Sequence, residues 1–198
     1  MRRSIVILLC LVSSIAFAQR PTNAKPEDVK SIDSIVAALY SSISDPTASK
    51  MSWDRFESLF TDSGRLIAVG AREDDAIIHG ISPAEYVKLS GPYIEQEGFS
   101  ERELARKTEQ FANIAQVVST YESKLKGSDK PLERGINLIQ LFNDGKRWWI
   151  VSVTWQKEDE DNPLPAKYLP GGKPAFLGLG KDGGWGREAS IAGCPPPN

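Results

Sequence analysis

The sequence predicts an α+β domain in which helices cover an antiparallel sheet. Residues 99–156 contain four runs rich in β-branched and aromatic residues, separated by turn signals, and such runs are typical of long strands. Between the last two runs, Asp144-Gly145 supplies the positive backbone φ that a tight hairpin needs. The residues before position 99 carry apolar side chains at helical spacing. The strands therefore form the centre of the predicted domain, and the earlier helices cover it.

The first 18 residues have the organisation of a secretory signal peptide. Arg2 and Arg3 precede an apolar run from Ile5 to Val12, and a cleavage site of alternating small residues ends at Ala18. This run is much shorter than the roughly 20 residues that span a bilayer. We therefore expect cleavage after Ala18, export to the periplasm or out of the cell, and no membrane attachment afterwards.

The mature chain, residues 19–198, has the length of one domain and a mildly acidic composition. Removal of Arg2 and Arg3 from the 24 basic residues leaves 22 against 26 acidic residues, a net charge of about −4. This balance argues against nucleic acid as a partner. Cys194 is the only cysteine of the mature chain, so no disulfide can form within it. His79 is the only histidine and has no cysteine partners at metal-ligand spacing, so we expect no metal site and no cofactor.

Three helices are predicted before the long strands. The first starts at Pro26, continues with apolar residues at three- and four-residue spacing, and ends at Asp45-Pro46. A short second helix follows Ser52 as its N-cap. The third starts with the capping box Ser82-Pro83-Ala84-Glu85, and we expect Gly91-Pro92 to break or kink it.

Six strands are predicted from the remaining sequence pattern. They cover residues 65–69, 76–78, 99–110, 113–123, 135–142 and 147–156. The charged linker 126–133 contains glycine and proline, which indicates a solvated hairpin loop between two of the long strands.

The last predicted hairpin is apolar on both faces. If Asp144-Gly145 forms a two-residue loop, the opposed pairs are Leu141 with Trp148, Ile139 with Ile150 and Asn137 with Ser152. A three-residue loop with a bulge would instead shift this register and exchange the faces of one strand. A sheet that is apolar on both faces needs cover on both. Helices would cover one face, and a partner subunit or the chain's own tail would cover the other.

Residues 158–198 are predicted to form a C-terminal extension that is partly docked. The 38 residues from Asp161 onward contain seven prolines and eight glycines and show no periodicity. Such a segment becomes ordered only where it packs on the domain. Its apolar residues are numerous for a free linker, so we expect some of these to dock: Tyr168, Leu169, Phe176, Leu177, Leu179 and Trp185.

Three passages carry a resemblance to a known superfamily. They are FESLFTD at 56–62, GFSERELARKTEQFANIAQVVSTYES at 98–123, and RGINLIQLFNDGKRWWIVSVTWQ at 134–156. With the order of predicted helices and strands, they make residues 31–157 resemble the nuclear transport factor 2-like (NTF2-like, or cystatin-like) superfamily in its bacterial SnoaL-like branch. Residues 19–30 would be an N-terminal lead. The resemblance implies a curved antiparallel sheet wrapped around three N-terminal helices, a cone with an apolar pocket, and frequent dimers.

The resemblance also implies one arrangement of catalytic groups. Members similar to ketosteroid isomerases use an aspartate base on the first strand, with a tyrosine and a protonated acid as oxyanion hole. Tyr40 lies near the position of such a tyrosine, and the alternative is a core tyrosine with a hydrogen-bonded hydroxyl. The aspartate would lie at residues 67–69, which are Ile-Ala-Val here. Isomerase chemistry of that type is therefore not expected.

Other candidates follow from residue chemistry. His79, on the turn before the third helix, is a natural general base, or else a loop histidine without a special role. Strict alternation along the strand at 99–110 puts Glu101, Glu103 and Glu109 on one face and Arg102 and Arg106 on the other. Glu109 is thus a candidate acid or base and Arg106 a candidate ligand-binding residue. The alternative for both is a solvated strand with weak ion pairs.

Gln140 and Trp148 complete the candidate ligand-binding residues. Gln140 lies on a neighbouring strand, and Trp148 belongs to a tryptophan-rich hairpin that could stack on a ligand. The alternative for Trp148 is packing in the core or at an interface.

These observations favour a non-catalytic exported domain. It would bind a small apolar ligand in the cone pocket, or form a homodimer through a sheet face. The alternative is an acid–base enzyme of isomerase, cyclase or hydrolase type that acts on a small hydrophobic substrate, because this scaffold serves many functions.

Overall fold

The computed structural model describes residues 24–44, 51–72 and 75–172. The helices are α1 (Pro26–Val29), α2 (Ile32–Ser42), α3 (Trp53–Ser58) and α4 (Pro83–Glu97). The strands are β1 (Phe60–Arg72), β2 (Asp75–Ile81), β3 (Ser100–Phe111), β4 (Ile114–Lys124), β5 (Glu133–Asn143) and β6 (Trp148–Lys157). A short 3-10 turn covers Ala166–Tyr168. This combination of helices and one sheet confirms the predicted α+β class.

The described strands form one unclosed sheet in the order β2-β1-β6-β5-β4-β3. Neighbouring strands are antiparallel except β1 and β6, which run parallel. The parallel pair begins where Ile150 N donates a hydrogen bond of 2.9 Å to Leu59 O. It joins the first strand of the chain to the last, and so places the two halves of the sequence in one layer.

The first predicted helix is in fact two helices. After the single turn of α1, Ser31 starts α2 with a capping box. The Ser31 hydroxyl accepts a hydrogen bond from Ser34 N at 3.1 Å, and Ser34 Oγ accepts one from Ser31 N at 2.9 Å. These bonds satisfy amide groups that a continuous helix would satisfy itself. The prediction of one helix from Pro26 to the end of α2 is therefore wrong.

The start of α4 is confirmed, and of the predicted break or kink at Gly91-Pro92, the break is wrong. Ser82 and Glu85 form the predicted capping box, but the helix continues through Gly91-Pro92 and ends at Gly98, which has a φ of 61°. Gly91 packs against the indole ring of Trp53, where an added Cβ would come within 3.3 Å of the ring. We attribute the continuity of α4 to this packing, which offsets the missing proline amide.

The core lies between the helices and the inner face of the sheet. Helix α2 contacts β3 and β6, whereas α3 and α4 contact β1. Fully burying one such side chain contributes roughly 1.5–3 kcal/mol, so this layer supplies much of the stability. Its fully buried apolar residues are Ile35, Val36, Phe56, Leu59, Val117, Ile139, Leu141 and Ile150.

The register of the last hairpin differs from the two-residue prediction. Asn143 lies opposite Trp148, which leaves a four-residue loop at 144–147, and a bulge at Val151 follows. The Asp144 carboxylate accepts hydrogen bonds from the amides of residues 146 and 147 at 2.8 Å, and these bonds favour the longer loop. The observed pairs are Leu141 with Ile150, Ile139 with Val153 and Asn137 with Trp155. Because of the bulge, Val153 and Trp155 face the core side of the sheet.

A second bulge, at Leu104 in β3, changes the predicted charge pattern. The pairing shifts between Glu103 and Ala105, which lie opposite Tyr121 and Thr120. Arg106 therefore shares the inner face with Glu103, and its guanidinium donates to that carboxylate at 2.5–3.0 Å. Strict alternation had separated these two residues. That prediction is wrong, because a bulge adds one residue and so reverses the faces beyond it.

The chain after β6 returns to the outer face of the sheet. Arg134 Nε donates to Glu158 Oε1 at 2.6 Å, and Thr120 Oγ1 donates to Tyr168 O at 2.5 Å. Lys107 Nζ lies 5.4 Å from the centre of the Tyr168 ring. A groove over β3 and β4 is thus lined by Lys167, Tyr168, Leu169, Gly171 and Gly172. The other predicted docking residues, from Phe176 to Trp185, lie outside the described residues, as do the signal segment and Cys194.

Several large apolar side chains stay exposed on the sheet. Those on the outer face or at the hairpin tips are Phe111, Ile114, Leu138, Phe142 and Val151. In the part of the chain that the structure describes, none of the helices has both the length and the hydropathy required to cross a bilayer.

Gly135 provides a test of this packing. An added Cβ would lie 2.3 Å from Gln156 O and 2.7 Å from the Tyr121 ring and hydroxyl. We expect Gly135→Ala to lower the free energy of unfolding by about 1–3 kcal/mol, because backbone and ring must both move. Chemical denaturation would measure this loss. The control is Gly70→Ala, where an added Cβ meets nothing within 4 Å. Equal stability of the two variants would contradict the prediction.

Candidate functional site

A cavity of about 230 Å³ lies between the helices and the inner face of the sheet. Its lining residues come mainly from α2, α3, α4 and five of the six described strands, and Tyr93, which is 51% exposed, lies at its rim. The apolar lining residues are Leu39, Ile43, Phe56, Leu66, Ile94, Phe99, Val153 and Trp155. The bulge at Val151 brings the last two of these into the cavity wall.

The polar groups of the cavity lie at one end, and strand register places them there. Glu101 pairs with Ser123 on β4, which pairs with Glu133 on β5. The two glutamates therefore lie in one row across three strands, with a small buried serine between them. Tyr121 donates from its hydroxyl to Glu133 Oε1 at 3.3 Å, and Asn137 Nδ2 donates to Glu101 Oε1 at 3.1 Å.

The environment of Glu101 raises the pKa of its carboxyl group. Burial, and then the negative charge of Glu133, raise its pKa to about 7, although the hydrogen bond from Asn137 partly opposes the shift. Burial, together with the same carboxylates, also raises the pKa of the Tyr86 and Tyr121 hydroxyls. Both tyrosines therefore stay neutral hydrogen-bond donors. The Tyr86 hydroxyl makes no hydrogen bond to another described residue and lines the cavity.

A chain of hydrogen bonds fixes this polar end from behind. Asn137 Nδ2 also donates a hydrogen bond to Tyr40 Oη at 3.1 Å. The hydroxyl oxygens of Tyr40 and Ser119 lie 2.7 Å apart, and the Ser119 hydroxyl donates to Glu103 Oε1 at 2.6 Å. Because Ser119 donates to Glu103, Tyr40 must donate to Ser119. Arg106 extends the chain from Glu103. The hydroxyls of Tyr40 and Ser119 are thus both satisfied, and their hydrogen bonds hold Asn137 in place.

The structure does not bring the six sequence candidates together, and none of them lines the cavity. Tyr40 is buried in the hydrogen-bond chain, and burial raises its pKa. Arg106 donates to Glu103 and to Asp33 Oδ1, the latter at 2.7 Å. Trp148 is buried in the core opposite Asn143.

The other three candidates lie away from the cavity. His79 is exposed in β2 opposite Ala68, and not on a turn as predicted. Glu109 is exposed opposite Gln116, on the outer side of β3, because the Leu104 bulge moved it off the face of Glu101. Gln140 is also exposed and donates to Gln116 at 3.1 Å. In the ranges that the structure describes, no group of three or more His, Cys, Asp or Glu side chains is arranged to hold a metal.

Three cavity residues were not among the sequence candidates: Glu133, Asn137 and Tyr121. Glu101 was considered only as one of several charged residues on its strand. The sequence feature that these residues share is a small neighbour on the inner face, which leaves room for a buried polar cluster. These small neighbours are Ser119, Ser123 and Gly135. That signal becomes readable only once the register is known.

The pKa of Glu101 predicts a pH-dependent stability. Native Glu101 holds its proton up to about pH 7, whereas the unfolded chain releases it near 4.5. The folded state therefore binds more protons between these values, and the free energy of unfolding must fall as the pH rises through them. From pH 5 to pH 8 this loss should amount to about 2–3 kcal/mol.

Glu101→Gln removes the ionisation and keeps the shape. We expect the variant to gain stability relative to the native protein as the pH rises, in urea denaturation at pH 5, 6.5 and 8. A difference that stays constant across these pH values would show that Glu101 titrates normally. Glu109→Gln, on the exposed side of the same strand, is the matched control and should show no such trend.

Comparisons with known proteins identify the fold. No protein-family model matches the sequence, and no curated protein matches it either. A protein of unknown function with a cystatin-like fold from Nostoc punctiforme has a TM-score of 0.51 at 9% identity, covering 65% of this chain and 90% of that one. An NTF2-like protein of unknown function from Pseudomonas putida has a TM-score of 0.51 at 6% identity, covering 68% and 90%.

A third solved structure points the same way. An NTF2-like protein with a cystatin-like fold from Novosphingobium aromaticivorans has a TM-score of 0.50 at 11% identity, covering 64% of this chain and 79% of that one. At these identities the similarity concerns the fold and carries no function. The chain has the NTF2-like, cystatin-like fold that its resemblance to this superfamily implied.

Proposed function

We propose that this protein binds a small, largely apolar molecule in the cavity beneath α4. The observation that carries the proposal is the cavity itself, which has aliphatic and aromatic walls and a few polar groups gathered at one end. This combination is typical of small-molecule sites, where apolar walls give affinity and a few polar groups fix orientation.

The size of the cavity limits the ligand. Its volume of about 230 Å³ lies below the roughly 300–1,000 Å³ of sites for drug-sized molecules. At roughly 30 Å³ per water molecule, it corresponds to about eight waters. A compound with a single ring or a short branched chain fits this space, whereas a steroid does not.

Acid–base catalysis is the second candidate function, and Glu101 favours it. A carboxyl group with a pKa of about 7 in an apolar cavity can donate or accept a proton near neutral pH. The two functions differ in outcome: an enzyme converts the molecule that the cavity holds, and a binding protein returns it unchanged. Recovery of a bound compound after incubation, and its identification by both mass and NMR spectrum, would separate them, because an isomerisation leaves the mass unchanged.

Filling the cavity tests the proposed binding. Val153, 4% exposed, lines the cavity, whereas the bulged Val151 on the same strand is 37% exposed on the outer face. We expect Val153→Phe to abolish binding of a monocyclic probe such as 2-phenylethanol, measured by ligand-observed NMR, and Val151→Phe to leave it unchanged.

A second blocking variant protects this test against misfolding. Ser90 lies on α4 in the cavity wall and is only partly buried, so Ser90→Phe should also prevent binding without disturbing the core. Circular dichroism would establish that each variant is folded. Undiminished binding by both folded variants would mean that the probe does not enter this cavity.

We also propose that the protein acts outside the cytoplasm. The support is the pattern of the first 18 residues, with two arginines, a short apolar run and a small-residue cleavage site. Expression of the full chain in a bacterium, followed by fractionation and intact-mass measurement, should give a periplasmic or secreted form that begins at Gln19. A cytoplasmic product that retains residues 1–18 would contradict export.

A further inference from the structure

We propose that the cavity selects a small organic amine in its protonated form, with an apolar and preferably aromatic body, over neutral or anionic molecules of the same shape. The proposal rests on the proposed binding function and names the class of ligand. It follows from three features of the cavity: its charges, its aromatic surfaces and the positions of nearby cations.

The charges of the cavity are of one sign. Glu101 and Glu133 both line it, and no lysine or arginine among the described residues does. The titratable groups that interact electrostatically with Glu101 are Glu133 from β5, Tyr86 from α4, Tyr121 from β4 and Tyr40 from α2, and burial raises the pKa of each of the three tyrosines, so that they are neutral. An anionic ligand would therefore enter a site with carboxyl groups and no compensating charge, which is unfavourable.

The nearby cations are already engaged elsewhere. Arg106 binds Glu103 and Asp33, behind the buried Tyr40 and Ser119 hydroxyls. Arg134, next to Glu133 in the sequence, donates to Glu158 on the returning chain at 2.6 Å. Neither guanidinium therefore neutralises the two carboxyl groups in the cavity. A cationic ligand would neutralise these two carboxyl groups.

The walls suit the body of an amine as well as its charge. Phe56 and Tyr86 form a pair of rings with centroids 5.4 Å apart, and Phe99, Tyr93 and Trp155 add further aromatic surface. Aromatic faces attract cations, and the attraction is larger where water is excluded. An ammonium group offers three donors, which the carboxylate oxygens at the polar end can accept. Charge-assisted hydrogen bonds of this kind are stronger than neutral ones.

The proposal also fixes the sign of the pH dependence. Ammonium binding favours ionised Glu101, whose pKa in the empty cavity is about 7. Affinity for an amine should therefore rise from pH 6 to pH 8, since both partners are then charged. A neutral ligand that accepts a hydrogen bond from protonated Glu101 would show the opposite trend.

Three matched probes test the inference: 2-phenylethylamine, 2-phenylethanol and phenylacetate, which share a ring and differ in the polar group. Dissociation constants at pH 8 would be measured by calorimetry or NMR titration on the mature protein. We expect the amine to bind at least tenfold tighter than the alcohol, and phenylacetate to bind weakest. Glu101→Gln and Glu133→Gln should each weaken the amine at least fivefold and change the alcohol less than twofold. Glu109→Gln, on the exposed side of β3, should change neither.

The outcomes separate the inference from the proposed function. If the alcohol binds as tightly as the amine, and Val153→Phe blocks it, the cavity is a binding site without amine selectivity, and the inference is overturned. If amine affinity falls from pH 6 to pH 8, the inference is also overturned. If none of the three probes binds, both the inference and the proposed site fail together.

Discussion

The hydroxyl of Tyr40 on α2 is bonded to Ser119 of β4 and Asn137 of β5, and it needs such partners because burial removes it from water. It accepts from Asn137 and donates to Ser119, which in turn donates to Glu103. A buried polar network of this kind stabilises only when each member has its partner, so one arrangement of helix and sheet is favoured over others. The same Asn137 amide then holds Glu101 at the cavity. The position of the candidate site thus depends on the hydrogen bonds that the buried Tyr40 hydroxyl requires.

Two bulges decide which side chains meet at that site. Each adds one residue to a strand and so reverses the faces beyond it, while it also bends the sheet around the helices. The bulge at Leu104 keeps Arg106 beside Glu103, and the bulge at Val151 turns Trp155 toward the cavity. Without the two bulges, strict alternation would place a different set of charged residues on the inner face. The cavity wall would also lack the indole ring of Trp155. The site is therefore a product of irregular sheet geometry, and not of a local motif.

The sequence predicts the features that local chemistry determines. The capping box at Ser82 needs only residues three positions apart, and the long strands follow from side-chain periodicity, so both were predictable. The family resemblance gave the NTF2-like fold. The bulges were not predictable, because a bulge depends on how two distant strands fit each other. Strict alternation puts Glu109 on the same face as Glu101, which made it a candidate site residue, whereas the bulge moves it to the outer face. Tyr40 was expected either in catalysis or in the core, and its hydrogen bonds place it in the core.

The unclosed sheet has one more consequence, which concerns aggregation. A sheet with ends exposes a row of unpaired amides and carbonyls at each edge, and such a row can template the addition of a strand from another chain. Edge strand β3 carries six charged residues among its twelve. Only Glu101 among them reaches the cavity, and Glu103 and Arg106 serve the network behind it. The remaining charges oppose strand addition at this edge. At the other edge, β2 exposes Ile77 and Ile78. Self-association by strand pairing, if the protein is destabilised, should therefore start from β2.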